Sequence, residues 1–296
     1  MKIADYDKYN YDYEKYWKNE EIDRTYEDLA ERMALSKLLP KKGSLLLDLG
    51  CGFGRLTDLY LDRFERIILA DYSIENLKKA KKRYGNQSKI YFVALNAYHL
   101  PFKSNSIETL LLVRVIHHIE DPLKLLSEIS RVTNKYFILE YPNKRHFLEI
   151  IRALFGKSNM NPFNLNPSKR GELFYNFHPT YISNLLKKTG FEPQKIYSVS
   201  NLRHIVFKKI LGTKFMLFLE HPLQSLFAIG KLGPSIFLLC QKQQQNKGGK
   251  PEFNNFLNFL CCPNCESDFE IRDQNLVCLK CQKNYRIDNG IIDLRK

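Results

Sequence analysis

LLLDLGCGFGR, residues Leu45 to Arg55, is the stretch that decides the fold. The apolar run from Ser44 to Gly50 has the composition of a parallel strand buried on both faces. It passes straight into Gly50, Gly52 and Gly54, positions without side chains where the backbone turns tightly and a ligand can lie against it. A helix is expected next, from about Arg55 to Asp62. RIILADYS (Arg66 to Ser73) reads as a second strand ending at Asp71, 21 residues after Gly50, where a carboxylate can accept both hydroxyls of a ribose. The spacing is G-x-G-x-G; three residues after Gly52 stands Arg55. No third glycine is set to seat a pyrophosphate on the helix, which disfavours a nicotinamide dinucleotide.

Outward from this centre, strands and helices alternate. Ile74 to Tyr84 is a Lys-rich helix, KIYFVALNA (Lys89 to Ala97) a third strand and SIETLLLVRV (Ser106 to Val115) a fourth. Asp121 and Pro122 open a helix to Val132, and YFILEYP (Tyr136 to Pro142) is a fifth strand. On the N-terminal side one helix is expected from Tyr13 to Leu39. Such alternation predicts a doubly wound, Rossmann-like parallel sheet whose strand ends share one ligand edge. Beyond residue 142 come a helix (Lys144 to Phe155), the polar loop NMNPFNLNPSKRG, and a helix closed by Gly190. KIYSVS (Lys195 to Ser200) and PSIFLLCQK (Pro234 to Lys242) are the sixth and seventh strands. Between them, residues 203–231 are amphipathic and rich in Leu, Phe and Lys, which suits either a helical cover on the core or a membrane-surface contact.

These residues carry a family resemblance. DLGCGFGR (Asp48 to Arg55), ADYS (Ala70 to Ser73), LNAYHLPF (Leu95 to Phe102) and VRVIHHIEDP (Val113 to Pro122) resemble the four motifs of class I S-adenosylmethionine-dependent methyltransferases of the type 11 group. The likeness covers roughly residues 10–240. It implies a seven-stranded sheet, six strands parallel and the last antiparallel. It also implies a cofactor site in which Gly50, Gly52 and Gly54 cradle the methionine and adenosyl parts and Asp48 positions the amino group. Asp71 would hold the ribose, Asn96 and Ala97 would border the adenine, and Tyr72 and Arg114 would also contact the cofactor. Asn96 stands where the family usually has Asp, so weaker cofactor binding is expected, and a non-catalytic cofactor-binding scaffold stays open as a second alternative. Arg114 and His117 would face the methyl group. Either His117 or His118 acts as general base, or one caps the loop while the other packs, since methyl transfer from a sulfonium often needs only positioning. Tyr11, Tyr13, Tyr16 and Trp17 either close over the cofactor or pack as core. No N-P-P-[YF] follows the fourth strand, which argues against the adenine-N6 and glutamine-amide branches. No cysteine lies between Arg114 and Pro122, so covalent cysteine chemistry on a pyrimidine carbon is not expected.

Five of the seven cysteines crowd into the last 36 residues, in a sequence with no secretion signal at its start. Cys262-x2-Cys265-x12-Cys278-x2-Cys281 has the spacing of two knuckles that bring four thiolates around one structural Zn2+. Cys261 has no assigned role. The segment from Cys262 to Leu294 resembles the small zinc-ribbon activator subunit of tRNA, rRNA and release-factor methyltransferases, here fused in cis. That resemblance implies a module that adds a strand to the sheet edge, with Ile291, Ile292 and Leu294 as the docking surface. The expected organisation is a methyltransferase domain over 1–240, with a helical cap at 1–43 and substrate-side insertions at 143–233. A linker at 241–258 and a ribbon at 259–296 follow.

The formal charge of +14 is uneven: residues 1–140 carry 23 Lys and Arg against 21 Asp and Glu, residues 141–258 carry 17 against 5, and residues 259–296 carry 6 against 6. A basic middle third suits an anionic partner or a Lys-rich solvated face. RNA, tRNA or rRNA, is the leading acceptor expected, with a small or lipid-linked anionic molecule as the alternative. No run of 18 apolar residues predicts a transmembrane segment, and a cytoplasmic location is expected.

Overall fold

A computed structural model describes residues 7–8, 12–18, 23–171, 174–243 and 256–295. The helices are α1 (Tyr13–Trp17), α2 (Thr25–Leu38), α3 (Ile74–Tyr84), α4 (Pro122–Val132), α5 (Phe147–Leu154), α6 (Pro179–Lys188), α7 (Ile205–Ile210) and α8 (Thr213–Gly230). The strands are β1 (Gly43–Leu49), β2 (Phe64–Asp71), β3 (Ile90–Leu95), β4 (Ile107–Leu112), β5 (Thr133–Pro142), β6 (Ser168–Lys169), β7 (Tyr175–Asn176), β8 (Phe191–Val199) and β9 (Ser235–Lys242). The last four are β10 (Phe269–Arg272), β11 (Asn275–Cys278), β12 (Asn284–Asp288) and β13 (Ile291–Leu294).

One sheet runs through the molecule in the order β10-β11-β12-β13-β3-β2-β1-β4-β5-β9-β8. The seven strands from β3 to β8 form the doubly wound centre, with β9 antiparallel to both β5 and β8. The sheet therefore has eleven strands, not seven. The reason is an edge: β13 lies parallel on β3, pairing Ile291 with Phe92 and Leu294 with Leu95, and pulls the C-terminal hairpins into the same sheet. An open edge strand carries unpaired N–H and C=O groups, and β13 satisfies them.

The strand side chains feed a core on each face. Leu45, Leu47 and Leu49 of β1 join the layer with α4, α6 and the C-terminal hairpins; Leu46 joins the opposite layer with α2, α3 and Met216 of α8. Alternation along a strand produces this division. Phe256, Phe259 and Leu260 are part of the first layer, with Phe256 stacked on Tyr91 at 4.0 Å, so the cysteine-bearing hairpins share a core with the main domain. Residues 244–255 of the expected linker, and Tyr11, lie outside the described residues.

Two helix expectations change. The N-terminal helix is two pieces, α1 and α2. The helix expected from Arg55 to Asp62 is a single 3-10 turn, Thr57–Leu59. Tyr60 there turns inward and donates its hydroxyl to Asp48 Oδ2 at 2.5 Å, which fixes the segment as a plug under β1. Residues 203–231 are helical, as α7 and α8, but only Met216, Glu220 and Gln224 among them are buried in α8 and none in α7. Among the described residues, no helix is long and apolar enough to cross a membrane.

Candidate active site

At the C-terminal ends of β1, β2, β3 and β4 lies a cleft that opens to solvent. Gly50, Gly52, Asp71, Tyr72, Asn96, Ala97 and Arg114 line it, so seven of the residues singled out from sequence converge on one space. Gly50 and Gly52 adopt φ of 82° and 56°, where L side chains are strained. A Cβ on Gly50 would stand 2.2 Å from the Val115 side chain, and one on Gly52 2.9 Å from the Tyr13 ring. The turn is a bare backbone cradle between these side chains.

Asp71 ends β2 inside this cradle. Its Oδ2 accepts from Gly52 N–H at 2.8 Å and its Oδ1 from Ser73 N–H at 2.9 Å. Burial is the main cause that pushes its carboxyl up to about 6, against those two backbone donors, which favour the charged form. A carboxylate offers about four acceptor positions, so further hydroxyl donors can be taken from the cleft side. Asn96 uses Oδ1 to accept from Tyr98 N–H at 3.0 Å, which turns the chain after β3 so that Ala97 forms the wall. Tyr98 in turn accepts from Glu120 N–H and Asp121 N–H.

Other singled-out residues sit outside the cleft wall. Asp48 lies beneath the glycine turn, bonded to Tyr60, with burial pushing its carboxyl up to about 7. Gly54 backs onto Tyr84 of α3. His117 is buried behind the mouth, packed on Phe174 at 4.7 Å and His118 at 4.1 Å. Its Nδ1 has no hydrogen-bond partner, and burial, with His118 and Arg114 nearby, holds it well below the ordinary imidazole range. His118 lines the cleft instead.

Arg114 takes φ 62°, a sparsely used conformation for a non-glycine residue. Its backbone N–H donates to Glu140 at 3.0 Å and its Nε to Glu31 at 2.8 Å. Glu31 is fully buried and also pairs with Arg55 at 2.7 Å. A buried carboxylate between two guanidiniums is charge-compensated, whereas any one member alone would be costly. Trp17 packs over Arg55 at 3.8 Å and near Arg114 at 5.6 Å, which carries α1 across the cleft and puts Tyr13 in its wall. Of the N-terminal aromatics, then, Tyr13 closes the site and Trp17 packs against the ion network.

Sequence reasoning missed Glu31, Asn76, Tyr98 and Val115. Glu31 is one acid in an ordinary amphipathic helix, and nothing in its spacing signals the arginines it holds 24 and 83 residues away.

At the far end, Cys262, Cys265, Cys278 and Cys281 place all four Sγ atoms within 4.8 Å of one another. The pairs Cys262–Cys281 and Cys265–Cys278 stand 3.7 and 3.4 Å apart. Thiolates about 2.3 Å from a tetrahedral Zn2+ are separated by about 3.8 Å, so the donor set fits such an ion. Cys261 is not among these four, and its backbone N–H donates to Pro101 O. Arg295, next to β13, donates to Tyr72 O at 3.1 Å, linking the cysteine module to the loop that lines the cleft.

A family model described as a methyltransferase domain matches residues 47–138, the segment that builds this cleft. An uncharacterised protein of Methanocaldococcus jannaschii is 40% identical over 100 residues, 34% of this chain and 40% of that one. Demethylmenaquinone methyltransferase of Paenarthrobacter aurescens is 31% identical over 102 residues, 34% and 39% of the two chains. The alignments thus span about two fifths of these relatives' lengths. Among solved structures, a complex between the Haloferax volcanii Trm112 methyltransferase activator and a methyltransferase matches with TM-score 0.54 and 15% identity, over 79% of this chain and 99% of that one. The fold is the Rossmann-like α/β fold of S-adenosylmethionine-dependent methyltransferases.

Proposed function

We propose that this chain is an S-adenosylmethionine-dependent methyltransferase whose sheet edge is closed by a zinc-held module fused in cis. The observation that carries the reading is the glycine cradle beside Asp71, inside the segment matched by the methyltransferase family. When bound, S-adenosylmethionine supplies an electrophilic methyl group on a sulfonium sulfur. Asp71 would accept the ribose hydroxyls, Gly50 and Gly52 would give their backbone to the ligand, and Tyr72, Asn96 and Ala97 would border the adenine. Asp48 would act from below, by holding the turn through Tyr60. Tyr13 would exclude water from above. Arg114 and His118 stand at the mouth, where an acceptor nucleophile would enter. His117 is assigned to packing behind them, and any proton released by the acceptor would pass to His118 or to water. Cys262, Cys265, Cys278 and Cys281 would ligate Zn2+, and β13 would present Ile291 and Leu294 to the β3 edge.

Two acceptor classes come from the sequence. The net charge of residues 141–258 and the likeness to a methyltransferase seen with its activator support RNA. A relative whose name gives demethylmenaquinone as its acceptor, and the exposed apolar helices described below, support a lipid-linked molecule. We favour the second class, because RNA accounts for the lysines alone.

The test uses cofactor labelled on its methyl group, the zinc-loaded protein and a lysate of cells lacking it. Label is expected in solvent-extractable material. Label in nuclease-sensitive material would transfer the assignment to RNA, and no label in any pool would leave the scaffold reading. For the metal, Cys278→Ser is expected to release zinc and disorder β10 to β13; full metal retention would mean that the ligand set is wrong.

A further inference from the structure

Helices α5 and α8 are built inside out. The usual surface helix turns its apolar stripe to the core and its charges to water. In α8 the inward residues are Met216, Glu220 and Gln224, at i, i+4 and i+8, and two of the three are polar. Glu220 accepts from Tyr26 OH at 2.6 Å, Ser200 N–H at 2.8 Å and Asn201 N–H at 3.1 Å; Gln224 donates to Ala30 O at 2.8 Å. The outward face carries Phe215, Phe218, Leu226 and Ile229, the last 85% exposed. In α5 the sole buried residue is again the acid, Glu149, while Leu154 at its end is 73% exposed.

These helices adjoin. Phe147 of α5 packs on Phe227 of α8 at 6.3 Å, and Arg145 donates to Gly230 O. The apolar surfaces of the two helices therefore lie beside each other in the fold. Among the described residues, fourteen of the eighteen exposed large apolar side chains fall between positions 147 and 229. A concentration of that kind in one region of the chain points to a contact surface.

Charge says what the surface contacts. Both acids of α5, α7 and α8, Glu149 and Glu220, are buried, so the exposed charges of these helices are cationic: Lys209 and Lys214, with Arg152, which pairs with Glu149 at 3.4 Å. Seating the face on a second copy of the chain would bring these cations against their own images. RNA would be attracted by the cations and could stack a base on Phe155, Phe215 or Phe218, but it would leave the aliphatic Leu154, Ile210, Leu226 and Ile229 in water. An interface that is apolar at depth and anionic at its surface matches both features: acyl chains for the apolar residues, phosphate headgroups for the lysines.

We propose that α5, α7 and α8 form an interfacial face that seats on a bilayer containing anionic phospholipid. Two links tie this region to the cleft. Lys208 of α7 is bonded to Asp23 O and Glu27 at the start of α2, one turn from the Glu31 that holds Arg114, and Phe174, just beyond the loop after α5, packs on His117 and His118. Docking would set the cleft mouth at headgroup depth. The proposal concerns the face alone and stands whether or not methyl transfer occurs.

The test is sedimentation of the full-length zinc-loaded protein with two vesicle preparations, phosphatidylcholine alone and phosphatidylcholine with about a third phosphatidylglycerol, at low and high salt. Binding to the anionic vesicles is expected, weakened at least tenfold by high salt or by omitting phosphatidylglycerol. The double substitution F218E/I229E, at side chains that touch water, is expected to abolish sedimentation. S-adenosylhomocysteine binding by the same variant, read by calorimetry, should stay within twofold of the parent, which separates loss of docking from loss of the cofactor site. No sedimentation of the parent, or equal sedimentation of parent and variant, would overturn the proposal. So would a dimer in light scattering that F218E/I229E converts to monomer, or single-stranded RNA binding that the same substitutions remove.

Discussion

Helices α4 and α8 are both amphipathic by sequence, and they bury opposite stripes. In α4, opened by Pro122 with Asp121 accepting from Lys124 N–H, the residues inside are Leu125, Leu126, Ile129 and Val132. In α8 they are Met216, Glu220 and Gln224. Periodicity identifies a helix with two unlike faces; it does not say which face meets the core. In α4 the apolar stripe is the only surface that can fill the layer beside β4 and β5. In α8 the layer over β8 and β9 is closed by a carboxylate and an amide that satisfy backbone and hydroxyl groups of α2 and the β8–α7 turn, and the apolar stripe is left over.

The comparison can be broken by substitution, because the costly residue differs in kind. Leu126→Ala removes a fully buried side chain from α4 and is expected to cost about 2–5 kcal/mol, read as a lower urea midpoint. A loss under about 1 kcal/mol would mean that the α4 layer is looser than drawn. In α8 the expensive change is polar: Glu220→Ala orphans Tyr26 OH and the N–H groups of Ser200 and Asn201, at a cost of about 1–3 kcal/mol. Glu220→Ala without effect would dissolve the contrast between the helices.

A smaller effect separates the two regions by pH. Burial pushes Asp71 up to about 6, and the charged form is the one that accepts hydroxyls. As pH falls through about 6, cofactor affinity should drop, by at most about tenfold (about 1.4 kcal/mol) per unit for one competing proton. Asp71→Asn should bind weakly with a flat profile over the same range; a flat parent profile would remove Asp71 from the ligand. The smallest effect belongs to Phe218→Ser on the outward face of α8. Its stability should stay within about 0.5 kcal/mol of the parent, and a larger loss would mean that Phe218 packs against the body after all.

Legibility followed how local the determinants are. The strand-turn-strand from Ser44 to Asp71 is spelled out by composition and spacing, and Gly50, Gly52, Asp71 and Asn96 meet in one cleft as their positions at strand ends require. The four cysteines are legible for the same reason, since two short knuckles define the donor set. Long-range pairings were not legible. Glu31 sits between Arg55 and Arg114 because α2 crosses the strand ends, a fact of tertiary packing. The 3-10 turn at Thr57–Leu59 replaces a helix because Tyr60 finds Asp48. The sheet grows to eleven strands because an edge at β3 accepts β13, and no periodicity within either segment encodes that pairing.

The central claim is that Asp71 and the glycine turn form an S-adenosylmethionine site. Calorimetric titration of the zinc-loaded protein with S-adenosylhomocysteine tests it most directly. The account predicts one site per chain with a Kd on the order of micromolar to tens of micromolar, weakened at least a hundredfold by Asp71→Ala, the scale of two lost charge-assisted hydrogen bonds. Absence of binding by the folded parent, or equal binding by Asp71→Ala, would contradict it.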